Sequence, residues 1–296
     1  KDMVCYQEEV RDPSRMAEVL NRVIEKAFRG SAPAQINVPR DYWTQVIDIE
    51  LPPIVRFERQ GGGKEAIENA AKLLSKAKFP VILSGAGVVL GGAIDECKKL
   101  AEKLDAPVCN GYQHNDSFPG SHPLAVGPLG YNGSKAAMEL ISKADVVLAL
   151  GTRLNPFSTL PGYGIDYWPK KATIIQVDMN PDRIGLTKKV SVGICGDAKQ
   201  VAQQILDKLS SDAGNTGREE RKNLIHKTKS AWLQTLSGLD HEEDDPGTVW
   251  NKEARERDKD RMSPRQAWRA IQDALPQDAI ISVSYTHLTL PTTTPV

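Results

Sequence analysis

The sequence predicts an α/β protein: a parallel Rossmann-like sheet with helices on both faces, flanked by partial α/β domains. Three apolar runs carry that prediction. They are FPVILSGAGVVLGG at 79–92, ADVVLALGTRLNPF at 144–157 and ATIIQVDMNPDRIG at 172–185. Each is a short stretch rich in Val, Ile and Leu that ends in a polar turn, as expected of a strand buried on both faces. Helix-period segments lie between strand-like ones, so the strands are joined by crossovers and run parallel. Ligands of such sheets bind outside the carboxyl ends of the strands. The loops after these three runs are therefore the first candidates for a site.

The elements follow in order. Residues 13–29 place Met16, Val19, Leu20, Val23, Ile24 and Phe28 at a 3.6-residue period, with Pro13 at the first turn and Gly30 after the last. Residues 33–41 read as a short strand stopped by Pro39. One helix and one strand bury little, so 1–48 is expected to be the trailing end of a domain. Residues 49–63 carry the Pro and Gly content of a linker. The regular alternation fills 64–210: helices at 64–77, 92–104, 133–143 and 197–209, and strands at 80–84, 107–110, 145–150, 173–178 and 190–194. Residues 211–262 read as a charged linker with a helix: 218–236 as the helix with a charged face, and 240–261, charged in both signs, as its solvated part. Ser263 and Pro264 form an N-cap and first-turn pair, opening a new unit over 263–283 with a helix at 264–275 and a strand at 279–283. Residues 284–296, SYTHLTLPTTTPV, follow neither period and read as a non-native tail.

Composition removes several function classes. Lys plus Arg and Asp plus Glu both number 38, so the chain lacks the basic footprint of a nonspecific nucleic-acid binder. No apolar run approaches the about 20 residues that span a bilayer. The opening KDMVCYQEEVRD is polar, begins without Met and contains no signal peptide, so an internal start is expected. Cys5, Cys97, Cys109 and Cys195 form no CxxC pair and have no His at metal-ligand spacing. They read as reduced, packed thiols of a cytoplasmic protein.

The residues at the strand ends supply the candidate cleft. Gly85 and Gly87 follow a strand and precede a helix, as phosphate-cradling glycines do. Their spacing is GxGxxxG, however, and the next strand end, PVCNG, lacks the acid that would hold a ribose. A tight turn without ligand is the competing reading. Gly151, Thr152 and Arg153 end another strand. Arg153 has the fork to clamp a phosphate or carboxylate, or to pair with a nearby acid at the sheet edge. Asp178 and Asn180 end the next, either to meet a ribose hydroxyl or to cap the Asn180–Pro181 turn.

The order of these motifs resembles the thiamine-diphosphate enzymes of the acetohydroxyacid synthase and pyruvate oxidase superfamily. APAQINVPRD would end the pyrimidine-binding domain. VILSGAGVV, LALGTRLN and IIQVDMNPDRIG would belong to the central domain, and MSPRQAWRAIQDALPQDAIISV would open the pyrophosphate-binding domain. Within it, GYQHNDSFPGSHPLAVGPLGYNGSKAAMELI at 111–141 and NPFSTLPGYGIDYWP at 155–169 are most similar to the sulfoacetaldehyde acetyltransferases.

That resemblance implies thiamine diphosphate and Mg as cofactors. The reaction it implies converts sulfoacetaldehyde and phosphate to acetyl phosphate and sulfite, in a homo-oligomer that is at least a dimer. It places Gln113, His114 and Asn115 near the mouth of the active site, facing substrate; an exposed loop histidine without function is the competing reading. The sequence after GTR is LNPFS, where acetohydroxyacid synthases place charged residues toward FAD, and this counts against FAD. The family's activating Glu would precede residue 1. Its Mg-binding Asp and Asn would follow the last strand, where Ser284 and Tyr285 depart from the pattern. No catalytic residue is therefore expected in this stretch, nor turnover by the chain alone. The alternatives are a fragment of an acetohydroxyacid synthase-like carboligase or decarboxylase, and a noncatalytic nucleotide-binding module using Gly85, Gly151 and Asp178.

Overall fold

Three strands that the sequence marks as apolar on both faces form the middle of a parallel sheet in the computed structural model. They are β3 (Pro80–Ser84), β6 (Val146–Leu150) and β7 (Thr173–Asp178), buried along nearly their whole length. The structure describes residues 3–30, 32–53, 58–130, 133–240, 264–276 and 279. The expected strand at 279–283, the tail at 284–296 and most of the charged segment beyond 240 lie outside the described residues.

The chain divides into two compact units, 1–58 and 59–296. In the first, β1 (Tyr6–Glu9) and β2 (Ala34–Asn37) pair in parallel and are joined by α1 (Met16–Gly30). Val10, Val19 and Val23 make its small core. The expected helix at 13–29 begins as a 3-10 turn, Pro13–Arg15, whose amide at Ser14 is capped by the Asp12 carboxylate at 2.9 Å. β1 is not predicted because YQEE is polar; its side chains alternate between half-buried and exposed. Along α1 a second apolar stripe, Leu20, Ile24 and Phe28, remains exposed within this unit.

The second unit is built on six strands in the order β5-β4-β3-β6-β7-β8, all neighbours parallel. The remaining three are β4 (Val108–Asn110), β5 (Ala125–Pro128) and β8 (Val192–Cys195). Helices α2 (Lys64–Lys76), α3 (Ala86–Gly91), α4 (Ile94–Leu104), α5 (Lys135–Ile141) and α6 (Ala198–Lys208) surround the sheet. α2 buries Ile67, Ala70, Ala71 and Leu74, the i, i+3, i+4, i+7 face its sequence shows. α6 starts where the Asp197 carboxylate accepts the amides of Lys199 and Gln200 at 3.1 and 3.2 Å. A long helix, α7 (Arg218–Asp240), and α8 (Pro264–Ala274) complete the described elements.

Two departures from the expected pattern have local causes. The helix expected at 92–104 forms as α4, and a short helix that was not expected, α3, precedes it at 86–91. Gly92 takes φ +64° and closes α3, and α4 starts at Ile94. β5 is unexpected because LAVGPLG is rich in Gly and Pro. It forms on the sheet edge, where a register shift between Val108 and Cys109 accommodates it.

Candidate functional site

The strand order reverses between β3 and β6, which makes their carboxyl ends the topological switch point of the sheet. Gly85 follows β3 and Gly151 follows β6. The two turns lie directly on each other. The Gly87 amide donates to the Gly151 carbonyl at 2.8 Å, and the Gly85 amide donates to Leu150 at 3.1 Å. The Gly151 amide is taken by Val177 at 3.0 Å. An anion cradle needs amides that point at the ligand; these three point at protein carbonyls. A Cβ on Gly85 would come within 2.6 Å of the Thr152 Cβ, so close approach of two backbones is what these glycines permit.

Thr152 is buried, and its hydroxyl oxygen accepts the amide of Leu154 at 3.2 Å. Leu154 is itself left-handed, φ +53°, and buried, a conformation that costs a branched side chain about 1–2 kcal/mol. Thr187 donates to its carbonyl at 2.6 Å and helps hold it there. Arg153 between them is exposed and makes no hydrogen bond or ion pair among the described residues. Asp178 is buried, and its carboxylate accepts the Asn180 amide at 2.8 Å. The Asn180 side chain accepts the Asp182 amide at 2.9 Å, opening a 3-10 turn at Pro181. Both side chains therefore commit an acceptor to the turn.

Beneath the loop after β4 lies a buried polar cluster. Asn110 donates to the Ser117 hydroxyl at 3.0 Å and to the His114 carbonyl at 3.3 Å. The Ser84 hydroxyl donates to the Ser117 carbonyl at 3.1 Å, and the Gly111 amide donates to the Ser84 carbonyl at 2.8 Å. The cluster ties the 111–117 loop to the end of β3. Above it Gln113 is exposed. The His114 ring is part-exposed, with Nδ1 3.9 Å from the Asp116 carboxylate. Asn115 is half-buried, and its side-chain oxygen has no partner among the described residues.

One residue that the sequence reading passed over organises the neighbouring edge. Gln176, inside β7, is buried. It donates to the carbonyls of Thr152 and Arg183, each at 3.1 Å, and accepts the Gly185 amide at 2.9 Å. Its signal was available: it is the single uncharged polar side chain in the otherwise apolar run IIQV. The loops after β3, β4, β6 and β7 are thus held by side chains from the strands themselves. The remaining polar groups on these loops are the exposed Arg153 after β6 and Gln113, His114 and Asn115 after β4. Burial pushes the Cys97 thiol up to about 12 and raises Cys109 as well, whereas Cys195 is half-exposed at the carboxyl end of β8.

Residues 67–205 match the family model described as thiamine pyrophosphate enzyme, central domain. The chain belongs to the thiamine pyrophosphate enzymes. It is 78% identical over 282 residues to a probable sulfoacetaldehyde acetyltransferase of Rhizobium meliloti (strain 1021), covering 95% of this chain and 48% of that protein. The sulfoacetaldehyde acetyltransferase of Roseovarius nubinhibens (strain ATCC BAA-591 / DSM 15170 / ISM) is 77% identical over 282 residues, covering 95% of this chain and 47% of that protein. A probable acetolactate synthase large subunit of Methanocaldococcus jannaschii (strain ATCC 43067 / DSM 2661 / JAL-1 / JCM 10045 / NBRC 100440) is 34% identical over 239 residues, covering 78% and 38%.

The crystal structure of benzoylformate decarboxylase from Polynucleobacter necessarius superposes with a TM-score of 0.61 at 22% identity. It covers 72% of this chain and 40% of that one, and supports the fold alone. The chain spans about half the length of these two sulfoacetaldehyde acetyltransferase relatives.

Among the described residues, no three His, Cys, Asp or Glu side chains gather into a metal site. No helix among them is long and apolar enough to cross a membrane.

Proposed function

We propose that the protein to which this chain belongs is a thiamine-diphosphate-dependent acyltransferase that converts sulfoacetaldehyde and phosphate to acetyl phosphate and sulfite. The observation that carries the reading is the identity of 78% over 282 residues with the Rhizobium relative, against 34% for the acetolactate synthase. Any 282-residue alignment of this chain contains both 111–141 and 155–169. The carboxyl-edge loops therefore lie inside the matched span.

In this reading Gln113, His114, Asn115 and Arg153 supply polar and cationic groups toward the sulfonate or phosphate. Gly85, Gly87, Gly151, Thr152, Asp178 and Asn180 shape the edge on which those groups stand. Mg accompanies thiamine diphosphate and FAD is not required. The enzyme is cytoplasmic and works as a homo-oligomer, at least a dimer. The domain assignments at 1–48, 49–63, 64–210, 211–262 and 263–283 belong to the same proposal.

The test uses the product of the complete reading frame that encodes this chain, supplied with thiamine diphosphate, Mg, sulfoacetaldehyde and phosphate. Equal release of sulfite and acetyl phosphate is expected. Intact sulfoacetaldehyde with conversion of pyruvate to acetolactate would replace the reading by a carboligase. A rise in thermal stability with FAD, ADP or CoA and no sulfite release would favour a nucleotide-binding module.

A further inference from the structure

A cavity lies at the opposite edge of the sheet, outside the carboxyl-end loops. It has a volume of about 560 Å³ and is enclosed by the end of α4, the turn entering β5 and the middle of α7. That volume is within the range of small-molecule pockets, about 300–1,000 Å³. Its apolar wall comes from Leu124, Ile225 and Leu233, and the ammonium groups of Lys222 and Lys229 and the imidazole of His226 stand around that wall.

The lining carries two carboxylates, Glu102 and Asp105, and two ammonium groups, Lys222 and Lys229, and both carboxylates are engaged away from Lys229. Asp105 is already matched by Arg218 and by Lys222, whose Nζ lies at 3.9 Å. Glu102 faces the His122 ring at 3.2 Å and Lys98 at 4.0 Å. In His122 the Nδ1 accepts the Leu124 amide at 3.2 Å, so the proton of the neutral ring sits on Nε2 and is given to Glu102. Lys229 has no carboxylate partner among the described residues. Its ammonium donates to the carbonyls of Pro123 at 2.7 Å and His122 at 3.4 Å, which leaves a third N–H to place. Desolvation lowers its pKa, the mark of a cation whose surroundings do not compensate it. His226 is exposed and its ring makes no hydrogen bond among the described residues.

We propose that this cavity binds a small organic anion, its apolar body against Leu124, Ile225 and Leu233 and its carboxylate or sulfonate on Lys229 and His226. The site is separate from the carboxyl-edge loops and does not rest on the acyltransferase reading. Ligand binding here would tie α7 to the α4 end of the sheet.

The probe is 1-anilinonaphthalene-8-sulfonate, titrated by fluorescence into the 296-residue chain, with uncharged N-phenyl-1-naphthylamine as its comparison. A charged hydrogen bond at the site predicts that Lys229→Gln weakens the sulfonate about tenfold and leaves the uncharged probe within about twofold. Ser230→Trp, which fills the cavity, removes both, and it keeps the test sharp if Lys229→Gln folds poorly. Sulfonate binding that neither variant changes overturns the proposal. So does an equal loss of both probes in Lys229→Gln, or the absence of saturable binding.

Discussion

The Gly87 amide donates to the Gly151 carbonyl at 2.8 Å, and a Cβ built on either glycine falls 2.7 Å from the Cα of the other. This pair closes the switch point of the sheet by backbone contact. Gly151 also holds φ +61°, so Gly151→Ala combines clash with left-handed strain, a loss of about 2–4 kcal/mol. Gly92→Ala is the matched comparison, because Gly92 has φ +64° and open space, to 4 Å, where a Cβ would stand. Strain alone there costs about 1–2 kcal/mol. Thermal unfolding should rank Gly151→Ala and Gly87→Ala below Gly92→Ala. Equal Tm values for the three would show that the contact carries no stability.

Gln176 joins the loops after β6 and β7 through three hydrogen bonds, so its replacement should be felt in both loops. Gln176→Leu strands two carbonyls and the Gly185 amide, at a cost of about 2–3 kcal/mol. Hydrogen exchange should then speed up at Gly185 and its neighbours first. Gln176→Glu keeps the acceptor for Gly185 but sets a carboxylate against two carbonyl oxygens. Its folded pKa is therefore raised, and its penalty should be larger at neutral pH than at acid pH, where the group protonates. Urea unfolding across that range checks the sign. A penalty independent of pH would mean that the side chain has turned out of the site.

The parts of this fold that were legible in sequence are those dictated by burial on both faces. VILS, VVLAL and TIIQVD admit no other placement than central strands, and their polar ends locate the loops. The edges were less legible. β1 is polar and β5 is broken by Gly and Pro, so pairing with a neighbour, rather than propensity, makes them strands. The glycines of 85–87 looked like a phosphate turn because turn chemistry and backbone-to-backbone packing select the same residue. Only the position of Gly151 distinguishes them. His226 and Lys229 show nothing in a charged helix sequence. Their neighbours Glu102 and His122 lie about a hundred positions earlier in the chain, and no local pattern records such a meeting.

Arg221 is an instance of that kind whose consequence can be measured. Its side chain is fully buried at the start of α7. It donates to five carbonyls: Asp105 at 2.9 Å, Lys78 at 2.6 Å, Thr216 at 2.9 Å, Leu104 at 2.8 Å and Gly214 at 2.6 Å. A guanidinium offers five N–H groups in a fixed fork and an ammonium offers three. Arg221→Lys should therefore lose most of what Arg221→Met loses, more than about 3 kcal/mol, rather than being a mild replacement. Urea unfolding gives the loss, and exchange at 214–225 should rise before that of β3. Full retention of stability by the lysine variant would show that charge alone, without the fork, anchors α7.

The four cysteines should separate by burial and thiolate character. Cys5 is exposed and Cys195 half-exposed, whereas Cys97 and Cys109 are buried. Alkylation needs the thiolate. With Cys97 pushed up to about 12 and Cys109 raised by its own burial, neither ionises appreciably near pH 8. Iodoacetamide followed by peptide mass spectrometry should label Cys5 first and Cys195 later. The buried pair should react only as fast as the unit opens. Gly151→Ala, by destabilising the unit that buries them, should quicken labelling of Cys97 and Cys109 without changing Cys5, which lies in the other unit. Native labelling of either buried thiol at the rate of Cys5 would show that the core beneath the Gly87–Gly151 contact is open to solvent.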